Sequence, residues 1–175
     1  MYCYRQIQDD LYWVGANNRR LAMFEGVYDV PKGVSYNAYL LLDEKTVLFD
    51  TVDASVSERL FENLDALLGD RALDYVLVQH TDPSATLYQV IQRYPNVQVV
   101  CNAATKKMIE QFFPCAIDDR WVETADGGSF SSGRHSFAFV KAPMVHWPEV
   151  QVTFDTTTGT LFSADAFGVF GAING

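Results

Sequence analysis

Tyr75-Val76-Leu77-Val78-Gln79-His80-Thr81-Asp82-Pro83-Ser84-Ala85-Thr86-Leu87 is the stretch whose reading decides the fold. Its first four residues form a short apolar run with the length and composition of a buried strand. A polar loop follows, and Ser84 can cap a helix that carries Leu87, Val90, Ile91 and Tyr94. The same order recurs downstream: Val97–Val100 reads as a strand, and Asn102 can cap a helix carrying Met108, Ile109, Phe112 and Phe113. It also holds upstream. Thr46–Phe49 reads as a strand, and Ser55-x-x-Glu58 has the form of a capping box. That box opens a helix with Val56, Leu60, Phe61, Leu64, Leu67 and Leu68 on one face, closed by Gly69. Alternating strands and helices imply parallel pairing through this middle part.

The flanks read differently. Leu11–Val14 is a strand stopping at Gly15, Leu21–Phe24 a second, and Tyr36–Leu42 pairs with Thr46–Phe49 as a hairpin through Asp43-Glu44-Lys45. Phe137–Val140, Val150–Phe154 and Thr160–Phe162 are strands without intervening helices. The expectation is an α/β (α+β) fold, with mixed sheets and outer helices. No repeat, low-complexity tract or linker divides residues 1–175, so one continuous domain is expected.

Composition narrows the function. Hydrophobic residues make up 49% and charged residues 20%, enough to bury a core and too apolar for wholesale disorder. Nine Tyr and twelve Phe favour strands. The net charge of −9 disfavours nucleic acid and anionic lipid as partners. No apolar run is long enough to span a membrane, and the first residues lack the pattern of a secretion signal. Three widely spaced cysteines, Cys3, Cys101 and Cys115, read as reduced thiols in a cytoplasmic protein.

Three histidines carry the chemical information. His135 follows Ser131-Ser132-Gly133-Arg134 and reads as a solvated loop residue. His80 follows the strand Tyr75–Val78, at the carboxyl end where parallel sheets place sites, with Asp82 two residues on. His146 precedes Val150–Phe154, and Asp165 follows Thr160–Phe162; an antiparallel hairpin brings the two to one end. His80, Asp82, His146 and Asp165 form a ligand set suited to Fe, Zn or Mn. The competing reading leaves the two aspartates as turn residues and packs His146 between Val145 and Trp147.

Several stretches resemble the metallo-β-lactamase-like diiron domain of flavodiiron proteins (A-type flavoproteins). They are Leu11-Tyr12-Trp13-Val14-Gly15-Ala16, Pro31-Lys32-Gly33-Val34-Ser35-Tyr36-Asn37 and Val47-Leu48-Phe49-Asp50-Thr51-Val52-Asp53. More specific are Ala142-Pro143-Met144-Val145-His146-Trp147-Pro148 and Phe162-Ser163-Ala164-Asp165-Ala166-Phe167-Gly168. The resemblance implies an αββα sandwich, incomplete at this length, and the family's O2 or NO reduction at a diiron centre. It implies a flavodoxin-type electron donor and places Trp147 at an FMN-facing surface, with the plain reading of a core aromatic beside it. No flavodoxin domain lies in the chain, so FMN is not expected to bind this chain alone.

The family's first ligand motif is H-x-E-x-D-H. Here His80 keeps the first histidine, Asp82 stands for the Glu, and the following Asp-His pair is missing. Either Ser84 and Ala85 replace the pair or two residues are deleted after Pro83. No histidine follows His146, so a later family ligand is missing as well. One metal position keeps its residue types in His80, Asp82, His146 and Asp165; the other keeps only the bridging Asp165. The resemblance therefore implies a degenerate centre that cannot assemble two irons. Three readings remain: a domain without catalysis, a mononuclear Fe or Zn protein or weak hydrolase, and an electron-transfer partner working with a separate flavodoxin. A half-built sandwich leaves a sheet surface uncovered, which predicts a homo-oligomer, most simply a dimer.

Overall fold

The computed structural model describes residues 3–81 and 84–173. The strands in chain order are β1 (Arg5–Gln6), β2 (Leu11–Trp13), β3 (Ala16–Asn18), β4 (Met23–Phe24), β5 (Tyr28–Asp29), β6 (Val34–Tyr36), β7 (Tyr39–Leu42) and β8 (Thr46–Phe49). Helix α1 (Ser57–Leu68) follows, then β9 (Tyr75–Leu77), α2 (Leu87–Arg93), β10 (Gln98–Cys101), α3 (Ala103–Phe112) and β11 (Trp121–Glu123). The remaining strands are β12 (Ser129–Ser131), β13 (Ser136–Lys141), β14 (Gln151–Asp155) and β15 (Thr160–Phe162).

Seven strands form one mixed sheet in the order β1-β2-β7-β8-β9-β10-β11. Pairing is antiparallel from β1 to β8 and parallel from β8 to β11, as the alternation of strands and helices requires. The second sheet, β12-β13-β14-β15, is an antiparallel meander.

The central strands are continuous apolar runs because both their faces are buried. Leu40, Leu48, Val76 and Val99 face a core shared with Leu60 and Leu64 of α1, Val90 of α2 and Ile109 of α3. Their neighbours Leu41, Phe49, Leu77 and Val100 face a second core, closed by Phe137, Phe139 and Phe162 of the meander. The Phe49 and Phe162 rings stack at 4.0 Å across the two sheets. The layers are therefore helix, sheet, sheet. The outward side chains of the meander, Val140, Phe154 and Leu161, are exposed.

Several local expectations change. Tyr36–Leu42 is two strands, because the chain leaves the pairing with β3 before it joins the large sheet as β7. The capping box at Ser55 does not form. Asp53 instead accepts from the Ser55 N–H at 2.9 Å and caps a 3-10 turn over Ala54–Val56, which feeds α1. Leu21–Phe24 shrinks to the two residues of β4. Asn102 caps α3 as expected, accepting from the N–H groups of Ala104 and Thr105.

His135 is not a solvated loop residue. It is buried between the sheets, at the end of β8 where the chain enters that strand. Its Nδ1 lies 2.7 Å from Asp155 Oδ2 and its Nε2 3.2 Å from Asp10 Oδ2. Asp43 in the β7–β8 turn accepts from the His135 N–H, the Ser132 hydroxyl and Arg134. A loop that looks polar and open in sequence is folded onto three carboxylates, Asp155 at the end of β14 and Asp10 and Asp43 from two distant turns.

Candidate metal centre

The opposite end of β8 carries the candidate site. Asp50 follows β8 with φ of 55°, and its carboxylate accepts from both the backbone N–H and the side-chain amide of Gln79 at 2.8 Å. These bonds fix the loop after β9 in which His80 lies. The meander is pinned to the same loop by a Gln151 N–H bond to the Gln79 carbonyl at 3.1 Å. Because β14 and β15 are antiparallel, the segments before β14 and after β15 emerge together here. They bring His146 and Asp165 together, as expected of a hairpin, and the structure sets both beside His80.

His80, His146 and Asp165 each offer a ligand atom, all within 4.8 Å of one another. Asp165 Oδ2 lies 3.2 Å from His146 Nε2 and 3.7 Å from His80 Nε2. Bonds of about 2.1 Å to one tetrahedral ion place ligand atoms about 3.4 Å apart, so these spacings match a single ion. Two imidazoles and a carboxylate are also the donor types that first-row divalent metals take. His80 is buried at the base, whereas His146 and Asp165 are roughly half-exposed, so the group opens to solvent. Asp82 lies outside the described residues. Trp147 belongs to neither hydrophobic core; it is half-buried, with its ring 5.5 Å from that of His80.

Glu149 is the residue that sequence reading missed. Its side chain is fully buried, and Oε1 accepts from the Thr81 N–H at 3.0 Å and lies 2.7 Å from His80 Nδ1. With Nδ1–H donated to Glu149, Nε2 is the nitrogen turned toward His146 and Asp165, the arrangement in which a carboxylate orients a ligating imidazole. The Glu149 carbonyl in turn accepts from Asn102 Nδ2 at 2.8 Å, tying the site to the start of α3. The only sequence signal was a carboxylate three residues after His146. Nothing in the spacing shows that it crosses to His80.

The electrostatics follow from these contacts. Burial disfavours the charged form of Glu149, but the hydrogen bonds from His80 and Thr81 overcome it and hold the carboxyl down at about 2. Burial likewise opposes protonation of His80, yet Glu149, Asp165 and Asp50 together raise it above its ordinary value. Burial pushes the Asp50 carboxyl up to about 6 against the two bonds from Gln79, and the neighbouring Asp165 adds to the rise. An end of the sheet that gathers this much negative charge around two histidines is suited to a cation.

Comparison with known proteins places this geometry. Residues 34–174 match the model of the ODP family beta lactamases. The chain is 34% identical to an anaerobic nitric oxide reductase flavorubredoxin of Vibrio vulnificus (strain YJ016), over 93% of this chain and 33% of that protein. It is 33% identical to a nitric oxide reductase of Moorella thermoacetica (strain ATCC 39073 / JCM 9320), over 93% of this chain and 41% of that one. Among solved structures, the rubredoxin oxygen:oxidoreductase of Desulfovibrio gigas superposes with a TM-score of 0.92 at 29% identity, covering 98% of this chain and 43% of that one. The chain thus spans about a third of the length of the first of these curated relatives. Sequence match and superposition agree that it belongs to the ODP beta-lactamase-like family and has the metallo-β-lactamase-like fold of flavodiiron protein cores.

Proposed function

We propose that this chain is a single-metal member of its family, holding one Fe or Zn ion on His80, His146 and Asp165, with Asp82 as a further ligand. Convergence of the three ligand atoms at one-ion spacing carries the reading. The stretch His80-Thr81-Asp82-Pro83-Ser84-Ala85 supports only one position, because it offers no second histidine and no second carboxylate for a neighbouring ion. On this reading the two-metal reduction of NO or O2 by the larger relatives is lost. An ion held here supplies a Lewis acid. The chain's own residues do the rest: Glu149 turns His80 outward, Gln79 and Asp50 hold its loop, and Trp147 covers one side of the imidazole. Neither FMN binding nor exchange with a flavodoxin donor is assigned to this chain alone.

Metal titration followed by elemental analysis tests the proposal. The expected result is one Fe or Zn per chain, abolished by His146→Ala. Two ions per chain, or one ion retained by that variant, overturns it. The exposed Val140, Phe154 and Leu161 on the outer face of the meander further support pairing of two copies. Light scattering is expected to give a dimer, and a dilution-resistant monomer refutes that pairing.

A further inference from the structure

Arg5, Arg19, Arg20 and Arg59 line one cavity of about 610 Å³, well within the size range of small-molecule sites. The chain has 13 Lys and Arg in all and a net charge of −9, so four cations around one cavity run against its overall balance. Among the described residues, the only carboxylate on the wall is that of Glu58. Arg59 is paired with Glu62, and Arg19 donates to the Ile173 carbonyl at 3.0 Å. Among the described residues the arginine ion pairs involve Arg59, Arg93, Arg120 and Arg134; no carboxylate lies within ion-pair distance of Arg5 or Arg20.

The neutral part of the wall is preformed. Trp13 is fixed by its indole N–H bond to Asn37 Oδ1 at 2.9 Å. Gly15 beside it has no room for a side chain, since a Cβ would sit 2.1 Å from the Tyr36 carbonyl and 2.9 Å from Trp13 Nε1. The first turn of the twelve-residue α1 also borders the cavity, adding the positive end of a helix to the guanidinium groups.

We propose that this cavity binds a phosphate-bearing small molecule of mononucleotide size, with the phosphates among the arginines and the organic part against Trp13. Guanidinium groups converging from several chain segments suit the many non-coplanar oxygens of a diphosphate better than one planar carboxylate. None of His80, His146 or Asp165 lines the cavity, so the proposal is independent of the metal reading.

Calorimetric titration with ADP, in the presence of a chelator so that no metal bridges ligand to protein, tests it. Expected are one ADP per chain, affinity falling with added salt, and no detectable binding of adenosine. The double variant Arg5→Glu/Arg20→Glu should weaken ADP at least about tenfold, and Arg20→Gln alone about threefold, with melting temperature unchanged because both side chains are exposed. No ADP binding by the unaltered chain overturns the proposal. So does affinity within twofold of the unaltered chain in the double variant, or equal loss on His146→Ala, which would put the anion at the histidine site.

Discussion

Replacing His135 by leucine tests whether the buried charge network holds the two sheets together. In the structure the imidazole bridges Asp155 at 2.7 Å and Asp10 at 3.2 Å, and its side chain and that of Asp155 are each at most 6% exposed. Leucine fills similar space but removes both donors. Breaking a buried charged pair costs about 3–5 kcal/mol when the partner is stranded. Asp155 is not wholly stranded, since the Thr158 hydroxyl at 2.7 Å and the Thr157 N–H at 2.9 Å still serve it, and Asp10 keeps Arg134 at 2.8 Å. The expected loss is therefore about 2–3 kcal/mol, nearer the cost of one charged hydrogen bond. In a domain of this length it corresponds to a fall of about 4–12 °C in melting temperature.

The pH dependence gives the sharper check. Burial opposes charging of His135, but Asp155 and Asp10 outweigh it and raise its folded-state value above the ordinary one. A raised histidine contributes stability that is complete below about pH 6.5, its unfolded value, and is lost as pH rises through the folded value. Burial also works against the Asp155 carboxylate, yet His135 and the threonines hold it below its ordinary value. Its share is present above about pH 4 and is lost as pH falls through the depressed folded value. Urea unfolding from pH 4 to 9 should then show the largest gap between the unaltered protein and His135→Leu at about pH 4–6.5, shrinking on the alkaline side. His135→Gln, which keeps a donor without a titrating charge, should recover part of the stability and flatten the pH dependence. A gap below about 0.5 kcal/mol at pH 6, or one that does not change with pH, would refute the network as a clamp.

Two further outcomes follow from the metal site. Glu149→Ala removes the carboxylate that orients His80 and should weaken metal binding about 10–100-fold by competition titration, beyond any change in melting temperature; unchanged affinity would mean that His80 needs no orienting partner. Asn102→Ala strips α3 of its cap and the Glu149 carbonyl of a donor, and should cost about 1–2 kcal/mol in urea unfolding; a loss under about 0.3 kcal/mol would place the cap outside the stability of the fold.

The parallel centre of the large sheet was legible because its strands are short apolar runs separated by helices with one apolar face. That pattern has few other solutions. Leu48, Val76 and Val99 on one side and Phe49, Leu77 and Val100 on the other fall where a sheet buried on both faces needs them. The pairing of His146 with Asp165 was legible too, since hairpin topology fixes which loop ends meet. Less legible were two-residue strands such as β4 and β5, whose pairing depends on neighbours rather than on their own residues. The capping of the first helix also escaped, because Asp53 engages both the N–H and the hydroxyl of Ser55, and only the path of the incoming chain brings it there.

By itself, the sequence determined the class of fold and the meeting of His146 with Asp165 at one end of a hairpin, because both follow from periodicity and from short-range connection. Tertiary structure alone decided what Glu149 and His135 do. Glu149 stands 69 residues from His80, and His135 stands 125 from Asp10. A buried charge is tolerated only where a partner of opposite sign meets it, and which distant turn supplies that partner is set by how the two sheets stack.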